Sequence, residues 1–228
     1  MTDLDRLTWP EVEHRAERGG ILLIPVGSTE QHGPHLPLTT DTDIAVAVAR
    51  QVGRLDPRVV VAPAVAYGSS GEHQAFAGTL SIGSDVTEAV LVELGRSAAV
   101  AFARLVVVST HGGNATPVAR AMAQLHTEGH PVTAWWPSWP GDLHAGRTET
   151  SLMLTIAPER VRLEQAEAGD RRPIRTVLPL LVEHGVRAVS ANGVLGDPTG
   201  ASAEEGARLL AAAVADLAEM IREVDGEP

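Results

Sequence analysis

The 228-residue chain contains no cysteine. Disulfides, thiolate nucleophiles and thiolate metal sites are thereby excluded together, so any metal must be held by His, Asp or Glu. Basic residues are scarce: 18 Lys and Arg stand against 29 Asp and Glu, a formal charge of −11. A protein that tracks nucleic-acid phosphates is normally basic, so no nucleic-acid partner is expected. No apolar run approaches the roughly 20 residues that span a bilayer, and the start, MTDLDRLTWPEVEHRAERGG, is polar without a basic segment leading into an apolar one. No membrane partner is expected, and a cytoplasmic protein is. Aromatic residues make up only 3%, yet Trp135, Trp136 and Trp139, three of the four Trp, lie close together.

What remains is an ordinary globular balance, 44% hydrophobic and 21% charged, in a length that suits a single domain over residues 1–228. Four short apolar runs, 21–26, 59–62, 105–108 and 132–136, each stop at Gly, Pro or Ser. Uninterrupted Val, Ile and Leu suit strands of a parallel sheet covered on both faces. The segments between read as helices. The first opens on the capping box of Thr8 and Glu11 with Pro10 in its first turn. Residues 43–52 follow, then 86–102 with Asp85 and Glu88 as a cap pair, then 116–128 closed by Gly129. Residues 148–156 stop before Pro158. A last helix has Ser202 and Glu205 as its capping box and Leu210, Val214, Leu217, Ile221 and Val224 on one face. This alternation predicts an α/β fold of three α/β/α layers around a mostly parallel central sheet. Residues 162–179 show the weakest periodicity and read as a flexible or partner-facing loop.

In this fold class the loops at the carboxyl ends of the strands build the site. The loop after the first run carries Glu30, His32, His35, Asp41 and Asp43. The loop after the third is His111-Gly112-Gly113-Asn114, and the one after the fourth contains Asp142, His144, Arg147 and Glu149. Four of nine histidines thus fall at predicted strand ends together with carboxylates. Imidazole with carboxylate suits Zn, Fe(II) or Mn, whereas an all-oxygen site would suit Mg or Ca. One bridging carboxylate, with a His and a Glu on each side, would hold two metals roughly 3.5–4 Å apart and hydrolyse an amide-type bond without a Ser or Cys nucleophile. His35 reads as a loop-packing residue, and Gln31 and Asn114 as hydrogen-bonding supports of the loop backbone.

The segments GSTEQHGPHLPLTTDTD, HGGN, HAGRTETS and NGVLGDPTGASAEEG, spread over residues 27–206, resemble the creatininase (creatinine amidohydrolase) family. The resemblance implies a layered, homo-oligomeric metallohydrolase with two divalent metal ions per subunit. It implies Glu30, His32 and His111 as ligands and Asp41 as the bridging one, with Asp43 the alternative. Creatinine-hydrolysing members carry a Glu two residues after the His of HGGN, where this chain has Gly113. The resemblance makes Glu149 the substitute fifth ligand and speaks against creatinine as the substrate. His144 matches the His that shuttles a proton at the scissile bond.

AYGSSGEHQAFAGTLSIG, HAGRTETS and SANGVLGDPTGASAEEGARL further resemble the mycofactocin-associated branch. Its members are peptidases that trim a ribosomally made, modified precursor peptide and release a C-terminal Val-Tyr-derived dipeptide unit. Ser69, Glu72, His73, Trp139 and Arg147 are then the candidates for holding the peptide, with aromatic faces stacking on a tyrosine-derived ring. Two other readings remain open. One is a family amidohydrolase or deformylase acting on a small cyclic or formyl amide; the other is a non-catalytic metal-binding scaffold.

Overall fold

The computed structural model describes residues 3–139 and 141–225. Strands β1 (Ile21–Val26), β2 (Val59–Val61), β3 (Arg104–Ser109) and β4 (Val132–Trp135) form one sheet in the order β2-β1-β3-β4. All three pairings are parallel, with Ile21 opposite Val59 on one side and Arg104 on the other. The predicted runs are the strands, shortened by one residue at β2 and β4 and lengthened by one at each end of β3. Pro25 is tolerated in central strand β1 because its nitrogen faces the side where β2 has already ended, and its carbonyl there accepts from Val65 N–H at 2.9 Å.

Alternate strand residues feed two cores. Ile21, Leu23, Val59, Val106, Val108 and Trp135 face α2 (Thr40–Leu55), α5 (Arg147–Ile156) and α8 (Ala203–Asp225). Leu22, Ile24, Val60, Leu105 and Val107 face α3 (Ser84–Ala98) and α4 (Ala115–Thr127), with Val12 of α1 (Trp9–Ala16) at the edge. The three-layer α/β/α arrangement is therefore present, and its sheet is wholly parallel. Leu210, Val214, Leu217 and Ile221 of α8 are buried as the helical spacing requires; the side chain of Val224 lies outside the described residues. Among the described residues no helix is long and apolar enough to cross a membrane.

Local details differ from expectation for identifiable reasons. The Thr8–Glu11 capping box is formed, with Thr8 N–H donating to Glu11 at 2.7 Å. Asp85 and Glu88 do not cap α3: Gly83 turns into the helix at φ +77°, and both carboxylates are drawn to Arg120 of α4. That helix ends at Ala98 instead of continuing to Phe102. The Ser202–Glu205 box is half-formed. Glu205 N–H donates to Ser202 Oγ at 3.2 Å, but the Glu205 carboxylate accepts from Arg147 at 2.7 Å. Residues 162–179 are not a plain loop: a 3-10 turn at Leu163–Gln165 leads to α6 (Ile174–His184), which is followed by α7 (Val186–Val189). Pro179 inside α6 removes one helical donor and masked its periodicity.

Candidate metal centre

The carboxyl ends of β1 and β3 and the start of α5 converge on one buried cluster. Helix α2 begins at Thr40, earlier than its apolar pattern suggests, so Asp41 sits in its first turn and points back at the sheet. This needs Gly27, because a Cβ there would collide with the backbone and hydroxyl of Thr42. Asp41 Oδ1 lies 3.3 Å from His32 Nε2, and Oδ2 lies 3.3 Å from His111 Nδ1 while accepting from Ser28 Oγ at 2.7 Å. His111 Nε2 is 3.2 Å from Glu30 Oε2, and His32 Nε2 is 3.8 Å from Glu149 Oε2. One carboxylate thus stands between two imidazole–carboxylate pairs. Glu30, Asp41 and His111 offer three mutually close ligand atoms, and His32, His144 and Glu149 offer another set. Asp43 points elsewhere, accepting from Thr39 Oγ1 and Arg160 at 2.8 and 2.7 Å.

The electrostatics of the cluster are those of a cation site. Glu30 is fully buried, and among the described residues neither of its carboxylate oxygens accepts a hydrogen bond. Such a group is costly to bury without a positive partner. Burial would raise its pKa, yet His111 and His73 beside it bring it down to about 2. Burial would lower His32, but Asp41, Glu149 and Glu30 hold it up at about 10. His111 is raised well above the ordinary imidazole value by Glu30 and Asp41, against the effect of burial. Burial raises Glu149 to about 7, with His32 opposing and Asp41 adding to the rise. Three clustered carboxylates call for positive charge. Protons on His32 and His111 supply part of it, and divalent cations held by the same atoms would supply more.

His144 stands beside the cluster. Its Nε2 donates to the Gln31 carbonyl at 2.8 Å, which leaves Nδ1 as the lone-pair nitrogen, 3.7 Å from Glu30 Oε1. Burial, then the neighbouring His32 and His73, push its pKa well below the ordinary value. Backbone bonds to Leu195 clamp the segment, with Leu195 N–H donating to the His144 carbonyl at 2.9 Å. Ala145 follows with φ +52°, an uncommon conformation for a side-chain-bearing residue, and its N–H donates to Glu149 at 2.6 Å.

The remaining candidates divide. His73 is buried, 3.4 Å from Glu30 Oε1, and its Nδ1 accepts from Gln31 Nε2 at 2.8 Å. Glu72 reaches to 3.8 Å from His111. Ser69 Oγ pairs with Ser84, while the Ser69 carbonyl accepts from His111 at 2.9 Å. Arg147 pairs with Glu205 at 2.7 Å. Trp135 belongs to the core and donates to Asp216 at 2.6 Å. Trp136 and Trp139 line a cavity of about 200 Å³ with Asp41 and Glu149. A larger cavity of about 940 Å³ has Glu30, His111 and His144 at its base and α6 along its wall. His35 bonds Thr150 at 2.9 Å behind the cluster, and Asn114 bridges the Gly27 carbonyl and Ser69 N–H. Ser70, a sequence candidate for holding a peptide beside Ser69, lies 3.3 Å from His111. Two participants carry no signal in the sequence: Ser28, which donates to Asp41, has no distinctive spacing, and the α6 wall is interrupted by Pro179.

The family model described as creatinine amidohydrolase matches residues 5–221. The chain belongs to the creatininase family. The mycofactocin precursor peptide peptidase of Mycobacterium tuberculosis is 53% identical over 206 residues, covering 86% of this chain and 82% of that one. Among solved structures, one described as creatininase Mn superposes with a TM-score of 0.84 at 27% identity over 97% of this chain and 98% of that one. A creatininase variant described as Zn-Zn type superposes with a TM-score of 0.81 at 27% identity, over 97% of both chains. The three-layer frame of this chain is thus the creatininase frame, and the metal-holding members share it.

Proposed function

We propose that this chain is a metal-dependent peptidase that cleaves a modified mycofactocin precursor peptide near its C-terminus and releases the Val-Tyr-derived dipeptide unit. The observation that carries the metal chemistry is Asp41, placed between the pairs His111–Glu30 and His32–Glu149. Glu30, Asp41 and His111 would hold one divalent ion, and His32, Asp41 and Glu149 the other. The donor set suits Zn, Fe(II) or Mn, in keeping with the Mn and Zn-Zn descriptions of the family structures. Bound there, the two ions would polarise the amide carbonyl and bring the pKa of water toward neutrality.

The chain's own side chains supply the rest. His144 Nδ1 faces the cluster as a base, placed to receive the proton that the attacking water gives up and pass it to the departing amine. Gln31 fixes the ring by accepting from Nε2. Glu72 and His73 line the large cavity and Trp139 the small one, where they would hold the peptide. Ser69 contributes through its carbonyl on His111, and Arg147 by securing α5 to α8. The larger cavity, about 940 Å³, exceeds what a creatinine-sized amide needs and favours a peptide. We place the enzyme in the cytoplasm, as a homo-oligomer whose subunit is a single unit over residues 1–228, with neither nucleic acid nor membrane as partner.

Mass spectrometry of the precursor, modified and unmodified, incubated with metal-loaded or chelated protein tests this reading. Metal-dependent release of the C-terminal unit is expected. An intact precursor beside active hydrolysis of a formyl or cyclic amide would transfer the site to a small-amide hydrolase.

A further inference from the structure

The two cavities meet at the candidate centre: His111, Gly112, Leu143 and His144 line both. A peptide whose scissile amide lies against His144 therefore has one flank in each. They differ in size and in wall. The small cavity, about 200 Å³, is bounded by Trp136 and Trp139. The large one, about 940 Å³, runs along α6.

Helix α6 is unusual for a surface helix. Its main packing partners are α7 and the turn Gly71–His73, and only Val177 is buried. Ile174, Leu178 and Val182, at i, i+4 and i+8, are 43%, 49% and 80% exposed and all line the large cavity. A helix normally turns such a stripe to the core, and a contiguous exposed apolar face marks a binding surface. From Ile174 to Val182 the stripe runs about 12 Å at the helical rise of ~1.5 Å per residue. That length matches about three to four extended peptide residues.

We infer that the Ile174–Leu178–Val182 face of α6 holds the stretch of precursor that precedes the scissile amide, while the cavity beside Trp136 and Trp139 takes the compact unit that is released. The inference rests on the peptidase reading above. A long leader needs the larger groove, and a dipeptide-sized product needs only the smaller cavity. The occupant of the α6 face is then an apolar, extended peptide segment, and Leu178 and Val182 determine specificity for it.

The test uses the metal-loaded full-length protein and its variants Leu178→Glu and Val182→Glu, with two substrates. One extends across the α6 face, and the other begins at the residue before the scissile amide. The kcat/KM preference for the long over the short peptide is expected to fall by about tenfold in each variant. A labelled peptide made only of the residues preceding the bond should bind the wild type and lose affinity by a similar factor in the variants. Metal content equal to wild type checks the fold, and Val182, the more exposed position, serves if Leu178→Glu is unstable. An unchanged preference with unchanged binding overturns the inference. So does a change in the light-scattering mass of either variant, because the face would then be covered by a second copy of the chain. Binding of the leader peptide without any cleavage would overturn the peptidase reading and leave the α6 site standing.

Discussion

The Glu72 carboxylate fills the space that a side chain at Gly113 would enter: a Cβ built on Gly113 lies 2.6 Å from Glu72 Oε1 and 2.5 Å from His111 Nε2, and it collides with the Ser69 carbonyl. The position at which the sequence resemblance implies a carboxylate in creatinine-hydrolysing members is closed here from the opposite side. Gly113→Glu is expected to destabilise the protein by about 1–3 kcal/mol through overpacking and to confer no creatinine hydrolysis. Thermal melts and a creatinine assay check this. A variant as stable as wild type, with creatinine turnover, would refute it.

Asp41 and Asp43 lie two residues apart but do different work. Asp41→Asn should lose metal and activity together, since its two oxygens face different imidazoles. Asp43→Asn weakens the surface contacts with Arg160 and Thr39, worth about 0–1 kcal/mol, and should keep both metal and activity. Metal analysis of the two purified variants separates them.

His144→Ala is expected to retain metal and to lose about 10²- to 10⁴-fold in kcat, the range for a positioned acid–base group. Glu30→Ala should lose metal and activity at once. Loss of metal from the His144 variant would make that residue a ligand and reverse its assignment.

The protonation of His32 has a measurable consequence. Its folded pKa, about 10, lies above the ordinary value of 6.5 because Asp41, Glu149 and Glu30 outweigh burial. A raised histidine pKa adds stability that is complete below pH 6.5 and disappears as pH rises through 10. The metal-free protein should therefore lose this contribution between those limits, as deprotonation leaves the carboxylates facing one another uncompensated. Metal held by His32 would displace its proton, so apparent metal affinity should rise with pH over the same window. Melts with and without chelator at pH 6.5 and 9.5, and calorimetry in buffers of different ionisation enthalpy, measure both effects. Metal binding that releases no protons would contradict the assignment.

Much of this architecture is legible in the sequence. The four apolar runs are strands because residues buried on both faces show no alternation, and their ends mark the loops that carry Glu30, His111 and His144. The choice between Asp41 and Asp43 is not legible, because it depends on where α2 starts, and helix boundaries shift by a few residues with tertiary context. The partners of Arg147 and Glu205 are invisible for a similar reason: local capping logic pairs Glu205 with Ser202, while the fold brings Arg147 to it across 58 residues. Helix α6 was lost to Pro179 and to an apolar stripe that faces a cavity instead of a core.

The most direct measurement is activity on the precursor peptide as metal is titrated into the chelated protein, with bound metal counted per chain. The account predicts that two ions bind, that cleavage tracks occupancy by the second, and that Asp41→Asn abolishes both. Full activity at one ion per chain, or two ions bound tightly by Asp41→Asn, would contradict a centre bridged by Asp41.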